Sequence, residues 1–224
     1  MRRVPKIAIS LSLVIASMGA MATKYAKDDY CGVLLWPYVN EQNVSGVSLN
    51  ALSGTYKRFS GLGIGGLFQE ADDFHGAGIG LLSFSANDLM NGFSLGGIAN
   101  VGGKFDGAAM GLLVFFAERL DGWSWGGLFS GIAHINGWQD SVIWSRAEAV
   151  NGCQTSLLIS STENIVRGAQ IAAFNHARSG VEGCQIGLIN VALGSINGVQ
   201  LGLINIAPGT WNTPLVNSGH RAAP

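Results

Sequence analysis

The stretch that decides the fold reads Gly-Cys-Gln-Ile-Gly-Leu-Ile-Asn over residues 183–190 and Gly-Val-Gln-Leu-Gly-Leu-Ile-Asn over residues 198–205. The first copy begins at Gly183 and the second at Gly198, and glycines at the same spacing continue toward the N-terminus. Eleven of them follow one another at nearly constant intervals, at positions 46, 61, 76, 92, 107, 122, 137, 152, 168, 183 and 198. Tandem units of this regularity indicate a repeat protein.

Two further positions lie at a fixed distance from these glycines and are apolar in every unit. We call the residues that share such a position in successive units a column. The column two residues before the glycine contains Val44, Phe59, Phe74, Met90, Phe105, Leu120, Ile135, Val150, Val166, Val181 and Ile196. The column six residues after it contains Leu52, Leu67, Leu82, Ile98, Leu113, Leu128, Ile143, Leu158, Phe174, Ile189 and Ile204. We interpret both columns as core. Apolar and small residues alternate with a period of two after each glycine, which is typical of strands.

A unit of this length is too short for a helix pair or a propeller blade, but it fits one coil of a β-solenoid. Stacked coils lie about 4.8 Å apart, so equivalent side chains form ladders along the stack. The same position is glutamine in five successive units and another is asparagine in three, at Gln139, Gln154, Gln170, Gln185 and Gln200, and at Asn175, Asn190 and Asn205. Because stacked amides can hydrogen-bond along the axis, we predict an all-β fold, a parallel β-solenoid of 15-residue coils.

An antiparallel arrangement fits the same periodicity, because about 11 extended residues and a short turn also make one strand of a meander. Between residues 61 and 127 the residue after the glycine alternates between a large side chain and alanine. This alternation is what up-and-down hairpins would produce. An antiparallel β-meander or membrane β-barrel of about 11 to 12 strands is therefore the alternative fold.

The N-terminus has the pattern of a secretory signal peptide. Arg2, Arg3 and Lys6 precede an apolar segment, and Ala20-Met21-Ala22 forms a small-x-small cleavage site. We divide the chain into a signal peptide (1–22), an N-terminal cap (23–45), eleven tandem repeats (46–212) and a C-terminal tail (213–224). Cleavage removes three positive charges and changes the net charge from −1 to −4. We predict export to the periplasm, outer membrane or cell surface, and no binding to nucleic acid, which needs a basic patch.

The composition agrees with a regular β-protein. Glycine accounts for 33 of the 224 residues, and 12% of the residues are charged. An ordinary soluble domain has about twice that charge and about half that glycine. Beyond the N-terminus, no apolar run reaches the roughly 18 residues of a membrane-spanning helix.

The units resemble those of bacterial surface-repeat proteins, whose tandem motif is Gly-x-Gln-x-Gly-Leu-x-Asn. The resemblance is close over residues 183–205 and looser over residues 46–137, where Ser, Gly or Ala often replaces the glutamine. The flanks are also similar, at Leu34-Leu35-Trp36-Pro37 and Pro214-Leu-Val-Asn217. Such proteins are regarded as exported or surface-associated and without a known activity. The resemblance therefore implies an exported protein and transfers no catalytic residues.

No catalytic, cofactor-binding or metal site is predicted. The Gly-x-Ser-x-Gly pattern of serine hydrolases surrounds both Ser94 and Ser124, but the two serines occupy the same repeat position. Residues 61–66 match a dinucleotide-binding fingerprint without the helix that should follow it. Stacking does not bring the histidines together as metal ligands, because they lie at different repeat positions: His75, His134, His176 and His220.

Asp140 interrupts an otherwise apolar column, which we place facing the core. The column contains Leu49, Ile64, Ile79, Leu95, Met110, Trp125, Ile171, Ile186 and Leu201, with Thr155 next to Asp140. A charge facing a core needs a partner or a wet pocket. We interpret Asp140 as part of a local bulge or outward turn, with a small binding site bordered by Trp125, Trp138 and Trp144 as the alternative.

The three cysteines are predicted to be unpaired. Cys153 and Cys184 share one repeat position but lie two units apart, with Ala169 between them. Stacking separates them by about 9 to 10 Å, and a disulfide needs Cα atoms within about 7 Å. We therefore expect two free, buried thiols, and Cys31 has no obvious partner.

These observations predict an exported, non-enzymatic surface or structural repeat protein. Its regular face would present the Gln, Ser and Asn ladders for adhesion or protein interaction, with a partner in the cell envelope or on a surface polymer or protein. Membrane association is compatible with the composition. The alternative is an outer-membrane β-barrel protein, and a more remote one is a serine hydrolase that uses Ser94 or Ser124.

Overall fold

The computed structural model describes residues 30–208 and 214–219, with side chains from residue 43 onward. This part of the chain is built from strands and contains no helix. The strands are β1 (Tyr30–Gly65), β2 (Phe68–Gly80), β3 (Ser83–Gly96), β4 (Ala99–Gly111), β5 (Val114–Gly126), β6 (Phe129–Ser141), β7 (Trp144–Ser156), β8 (Ile159–Thr162), β9 (Ile165–Ile171), β10 (Phe174–Ala177), β11 (Gly180–Ile186), β12 (Ile189–Ala192), β13 (Ser195–Gly202), β14 (Ile204–Ile206) and β15 (Leu215–Gly219).

The coils stack in parallel. Each residue pairs with the equivalent residue of the next coil, as Gly61 does with Gly76 and Gly183 with Gly198. β1 to β7 form one series of neighbours, which then divides into β8-β10-β12-β14 and β9-β11-β13. The predicted β-solenoid is therefore confirmed, with about ten turns. The antiparallel alternative is wrong for these coils.

Each coil has three short extended segments, which the coil that contains β4 illustrates. Segment A is residues 99–102, segment B is residues 104–106, and segment C is residues 108–111. A corner separates A from B, the repeat glycine separates B from C, and a short bend follows C. In the later coils the corner interrupts the strand, so β8 and β9 are separate. The same three names apply to the equivalent residues of every coil.

All eleven repeat glycines adopt a positive φ, between 123° and 152°. They lie directly on one another along the stack. A β-carbon at Gly137, for example, would lie 2.0 Å from the carbonyl oxygen of Gly122. Only glycine combines this backbone conformation with so close an approach of two main chains.

Two units, which begin at Gly76 and Gly152, are one residue longer than the others and place the additional residue at the corner between segments A and B. In the first, Asn87 and Asp88 stand opposite Asp72 alone. In the second, residues 163–165 stand opposite residues 148–149. Because the corner lies outside the core, the insertion leaves the inward-facing columns in register.

One of the two predicted core columns is buried. The residues two positions before the glycine, from Val44 to Ile196, are at most 4% exposed. The prediction for the column six residues after the glycine is wrong, because none of its members is buried. From Leu67 to Leu158 this residue lies in the bend after segment C. In the last three units segment C and the bend are together one residue shorter. The residue six positions after the glycine is therefore the first of segment A, and Phe174, for example, pairs with Ile159.

The core changes character along the stack. In the N-terminal half it is aromatic: the rings of Phe59 and Phe74 stack with centroids 4.7 Å apart, and Phe84 meets Phe74 edge-on at 5.1 Å. Gly78 makes room for this packing, because a β-carbon there would lie 2.1 Å from the ring of Phe84. In the C-terminal half the positions of Phe59 and Phe74 carry Ile or Val, whereas the position of Gly78 carries glutamine and, in the last three units, that of Phe84 carries asparagine.

The glutamine and asparagine ladders form as predicted, but inside the core. From Gln154 to Gln200, each Nε2 donates to the Oε1 of the preceding glutamine at 2.7–3.1 Å. In the other ladder, Asn175 donates to Asn190 and Asn190 to Asn205, each at 2.8 Å. The donors of the two ladders point in opposite directions along the stack. Buried amides are tolerated here because each finds its partner in a neighbouring coil.

β15 covers β13 at the C-terminal end of the stack. It pairs antiparallel with β13, and Asn217 donates to the Oε1 of Gln200 at 2.9 Å, which completes the glutamine ladder. Residues 215–219 of the predicted C-terminal tail therefore form a strand. A covered edge cannot pair with the strand of another chain.

At the N-terminal end, residues 30–45 of the predicted cap belong to β1, and Val44 joins the core. The predicted signal peptide, residues 1–22, lies outside the described residues. In the part of the chain that is described, no helix has the length and hydropathy to cross a membrane.

Candidate interaction surface

The outward side chains of segment C and of the bend after it form a continuous apolar surface along the stack, which we term the apolar strip. In each unit it consists of the residues one, three, five and six positions after the repeat glycine. Its more exposed members are Leu62, Leu81, Phe93, Ile98, Leu112, Trp123, Trp138, Leu157, Ile186, Leu188, Leu201 and Leu203. The alternation between large side chains and alanine lies on this outer surface and not in a hairpin.

The strip is almost free of charge. In each unit the strip lies within the six residues after the glycine, and Asp140 is the only charged residue among these six in all eleven units. With coils about 4.8 Å apart and about 3.3 Å per residue, the strip is about 50 Å long and covers on the order of 1,000 Å². The largest apolar patch of an ordinary monomer is about 300–600 Å². The strip therefore has the extent of a binding surface.

Asp140 lies on this strip, and the expectation that its column faces the core is wrong, so no local bulge is needed to turn Asp140 outward. Segment C turns its second residue inward and its third outward, so the whole Asp140 column faces outward. The Oδ2 of Asp140 accepts the indole N–H of Trp123 at 2.9 Å, and Oδ1 accepts that of Trp138 at 2.7 Å and the hydroxyl of Thr155. Among the described residues, no Lys or Arg forms an ion pair with this carboxylate.

The tryptophans around this carboxylate differ partly from those predicted. Trp138 contacts it, and Trp125 is its register neighbour in the preceding coil. Trp144 instead donates its indole N–H to the hydroxyl of Ser161 at 2.9 Å. Trp123 is the contact that the sequence analysis missed. The sequence could have revealed this contact, because Trp123 and Asp140 are one repeat plus two positions apart. That spacing places two outward side chains diagonally opposite each other on adjacent coils.

Cys153 and Cys184 are free, as predicted. They lie two coils apart, with Ala169 paired to both. The expectation that they are buried is wrong, because both are partly exposed on the strip. Partial burial nevertheless raises the pKa of the Cys153 thiol, and the negative charge of Asp140 raises it further. The side chain of Cys31 lies outside the described residues.

Segment B and the corner before it carry most of the charged side chains. Asp121 accepts bonds from Arg119 at 2.8 Å and from Asn136 at 3.0 Å, and these bonds hold the pKa of Asp121 below its usual range. Arg167 pairs with Glu182 at 2.9 Å. A shallow groove lies between the two arginines. Because each arginine already contacts a carboxylate, the groove is a weaker candidate for a site than the strip.

The serines of the hydrolase pattern point into the core. Ser94 and Ser124 are both 0% exposed, and Asn100 donates to the hydroxyl of Ser94 at 2.7 Å. A substrate cannot reach either hydroxyl in this fold. The glycines of residues 61–66 lie at the end of β1 and in the bend after it. Nowhere in the described ranges do three His, Cys, Asp or Glu side chains meet as a metal site would require.

The predicted binding face needs the largest correction. The Gln, Ser and Asn ladders were expected to face a partner, but the glutamines of the ladder are 0% exposed. The surface that the coils do present beside segment C is apolar. The sequence signal for it is the absence of charge in the six residues after each glycine, which is visible once the glycines are aligned.

The chain matches no family model, no curated protein and no solved structure. What can be said of its class therefore comes from its own architecture. It is a parallel β-solenoid with an amide-laddered core and one long, nearly uncharged apolar strip.

Proposed function

We propose that this protein is an exported, non-enzymatic repeat protein with a structural or attachment role, and that it binds its partner through the apolar strip. The extent of the strip carries the proposal. Exposed apolar surface on the order of 1,000 Å² exceeds what an ordinary monomer leaves in water and promotes aggregation. Binding to a partner is the ordinary reason for a chain to keep such a surface.

The rigid backbone beneath the strip supports an attachment role. Every coil pairs with its neighbours along all three segments, and the amide ladders tie the C-terminal coils together from within. A surface held in this way loses little conformational entropy when it binds. The binding free energy of the apolar side chains is therefore largely available to the complex.

The repetition of the surface favours attachment over catalysis. A catalytic site brings different polar groups together in a cleft. Here neighbouring coils present the same kinds of side chain at the same positions, and Ser94 and Ser124 are buried. These features weigh against the serine hydrolase alternative.

Export is proposed from the pattern over residues 1–22 and from the resemblance to surface-repeat proteins. The full chain should be produced in a bacterial host, fractionated and analysed by mass spectrometry. We expect a mature protein that begins at Thr23 and is recovered from the cell envelope. A chain that begins at Met1 and stays in the cytoplasm would contradict export.

Attachment is tested by placing charges on the strip. Leu157 and Leu188 are 66% and 56% exposed, so replacing both with Glu should leave the fold intact. The matched control replaces Asn151 and Asn197, which are exposed outside the strip, with Glu and adds the same charge. We expect the Leu157→Glu/Leu188→Glu variant to leave the envelope fraction and the control to stay. Equal retention of both variants would refute attachment through the strip.

A further inference from the structure

We propose that the partner of the apolar strip is the surface of a lipid bilayer whose headgroups are zwitterionic and carry an ammonium group. The strip would lie in the boundary between headgroups and acyl chains, where the carboxylate of Asp140 stays within reach of water and of headgroup ammonium groups. This inference rests on the proposed attachment function and names the chemistry of its partner.

The ridged shape of the strip fits a fluid surface such as a bilayer better than a rigid one. Its side chains project from flat parallel segments at the spacing of the coils, about 4.8 Å, and form ridges along the stack. A protein partner would have to match this relief over about 50 Å, the length of eleven coils at that spacing. Acyl chains adapt to any apolar relief. Surface-bound elements bury such a face about 5–10 Å into the boundary between headgroups and acyl chains.

Three of the four tryptophans on or beside the strip support the bilayer as partner. Trp123, Trp138 and Trp144 are 36%, 50% and 39% exposed. Each indole N–H donates within the protein, to Asp140 or to Ser161, so the exposed part of each ring is apolar. Tryptophan is enriched where a bilayer meets water, because the ring combines an apolar body with a polar edge.

Asp140 decides between a bilayer and a dry protein interface. Among the described residues its carboxylate has donors but no cation, and an ionised group without a counter-ion is costly to bury between two proteins. At a bilayer surface, water and headgroup ammonium groups remain in reach. Within the same part of the chain, Trp123 is the only donor to Oδ2, so this oxygen can accept a further bond.

A second copy of the chain fits the strip less well for the same reason. Asp140 belongs to the seventh of the eleven units, next to the middle one. A two-fold dimer that covers the whole strip would place the two carboxylates opposite each other if the stacks run parallel. If they run antiparallel, the carboxylates lie about 10 Å apart along the stack. Both arrangements enclose two like charges without a counter-ion.

The test measures binding of the mature protein to vesicles of phosphatidylcholine and phosphatidylethanolamine by co-sedimentation and by tryptophan emission. We expect the wild type to sediment with the vesicles, its emission to shift to the blue, and the binding to be insensitive to salt. The Leu157→Glu/Leu188→Glu variant should bind at least tenfold more weakly, and the Asn151→Glu/Asn197→Glu control should bind as the wild type. Circular dichroism checks that each variant is folded.

The headgroup preference is tested with vesicles of phosphatidylglycerol, which carry negative charge and no ammonium group. The wild type should bind these less well than the zwitterionic vesicles. Asp140→Asn removes the local negative charge and should reduce this difference by about threefold, because like-charge repulsion at the surface is weakened. An unchanged preference would overturn the role of Asp140.

Two outcomes would overturn the bilayer as partner. In the first, the wild type stays in the supernatant while the Leu157→Glu/Leu188→Glu variant still leaves the cell envelope; the attachment surface then stands and its partner is a protein or polymer. In the second, light scattering without lipid shows a stable dimer that this variant disperses and the control does not. Retention of the variant in the envelope would instead refute the attachment function itself.

Discussion

The repeat glycines act at the scale of single residues. From Gly61 to Gly198, each combines a positive φ with a main-chain contact to the preceding coil, so a side chain is excluded for two independent reasons. Gly180 carries both constraints as well, and the other glycines among the described residues do not. Gly131 lies at an outward position of segment A, and a β-carbon there would meet only the ring of Phe116, at 2.7 Å.

We predict that Gly137→Ala destabilises the protein by about 3 kcal/mol or more, because the new methyl group meets the carbonyl of Gly122 and the backbone is strained. Gly131→Ala should change stability by less than about 1 kcal/mol. Phe116 is 47% exposed and can turn away from the added methyl group. Urea unfolding of both variants is the measurement, and comparable effects would contradict the stacking of the glycines.

Cys153 provides a chemical probe of Asp140. Because burial and the Asp140 carboxylate raise the pKa of the Cys153 thiol, less thiolate is present at a given pH and alkylation is slowed. Asp140→Asn removes the second cause and should accelerate alkylation of Cys153 at pH 8 by about threefold. Mass spectrometry with iodoacetamide measures each site, and Cys184 serves as the internal reference. An unchanged rate at Cys153 would show that Asp140 does not act on the thiol.

At the scale of the element, segment C is a strand whose two faces differ. The face with polar side chains points into the core, and the apolar face points outward. Its second residue is glutamine in the last five units, and the ladder hydrogen bonds make this burial tolerable. Its first and third residues form the strip. Alternation along the strand predicts two different faces but does not say which of them is inside.

We predict that Gln170→Leu destabilises the protein by about 3 kcal/mol, because Gln185 Nε2 loses its acceptor in the core while the side-chain volume is nearly kept. The control is Asn151→Ala, which breaks an exposed amide contact to Asn136 and should change stability by less than about 0.5 kcal/mol. Equal effects in thermal and urea unfolding would contradict the importance of the buried ladder.

Adding the second substitution, in the variant Gln170→Leu/Gln185→Leu, should lower the free energy of unfolding by at most about 1 kcal/mol beyond the single variant. The glutamine at the cut end of the ladder is then Gln200, whose Nε2 loses the Oε1 of Gln185 but keeps the carbonyl of Ile206 at 3.3 Å. Additive losses would show that each ladder bond contributes independently. A double-variant cycle in urea distinguishes the two cases.

At the scale of the whole molecule, a stack of parallel coils leaves an open strand edge at each end. β15 covers the C-terminal edge, and Asn217 closes the glutamine ladder. This arrangement protects the edge of β13, and the apolar strip lies along the side of the stack.

We predict that truncation after residue 208 makes the protein associate end to end, because the edge of β13 loses its antiparallel partner. Truncation after Gly219 keeps β15 and is the matched control. Light scattering over a range of concentrations should show growing assemblies only for the shorter chain. If the shorter chain behaves as the control does, β15 is not a cap.

The sequence by itself determined the architecture along the stack. A constant period between the repeat glycines forces each coil to repeat the path of the one before it. The glycine column, the apolar column from Val44 to Ile196 and the amide ladders could therefore be predicted. The corner insertions were also visible, as the longer intervals that follow Gly76 and Gly152. These features depend only on neighbours one period apart, which the sequence places in contact.

The tertiary structure alone decided what lies inside each coil. Hydrophobicity predicted leucine inside and glutamine outside, and the coils do the reverse in segment C. The physical reason is that successive residues of a strand point to opposite sides, so only one of the two columns can face inward, and buried glutamines can pair with one another from coil to coil. Closure of the three segments around that interior sets the direction of every side chain, and thereby turns the apolar column into the exposed strip on which the proposed function rests.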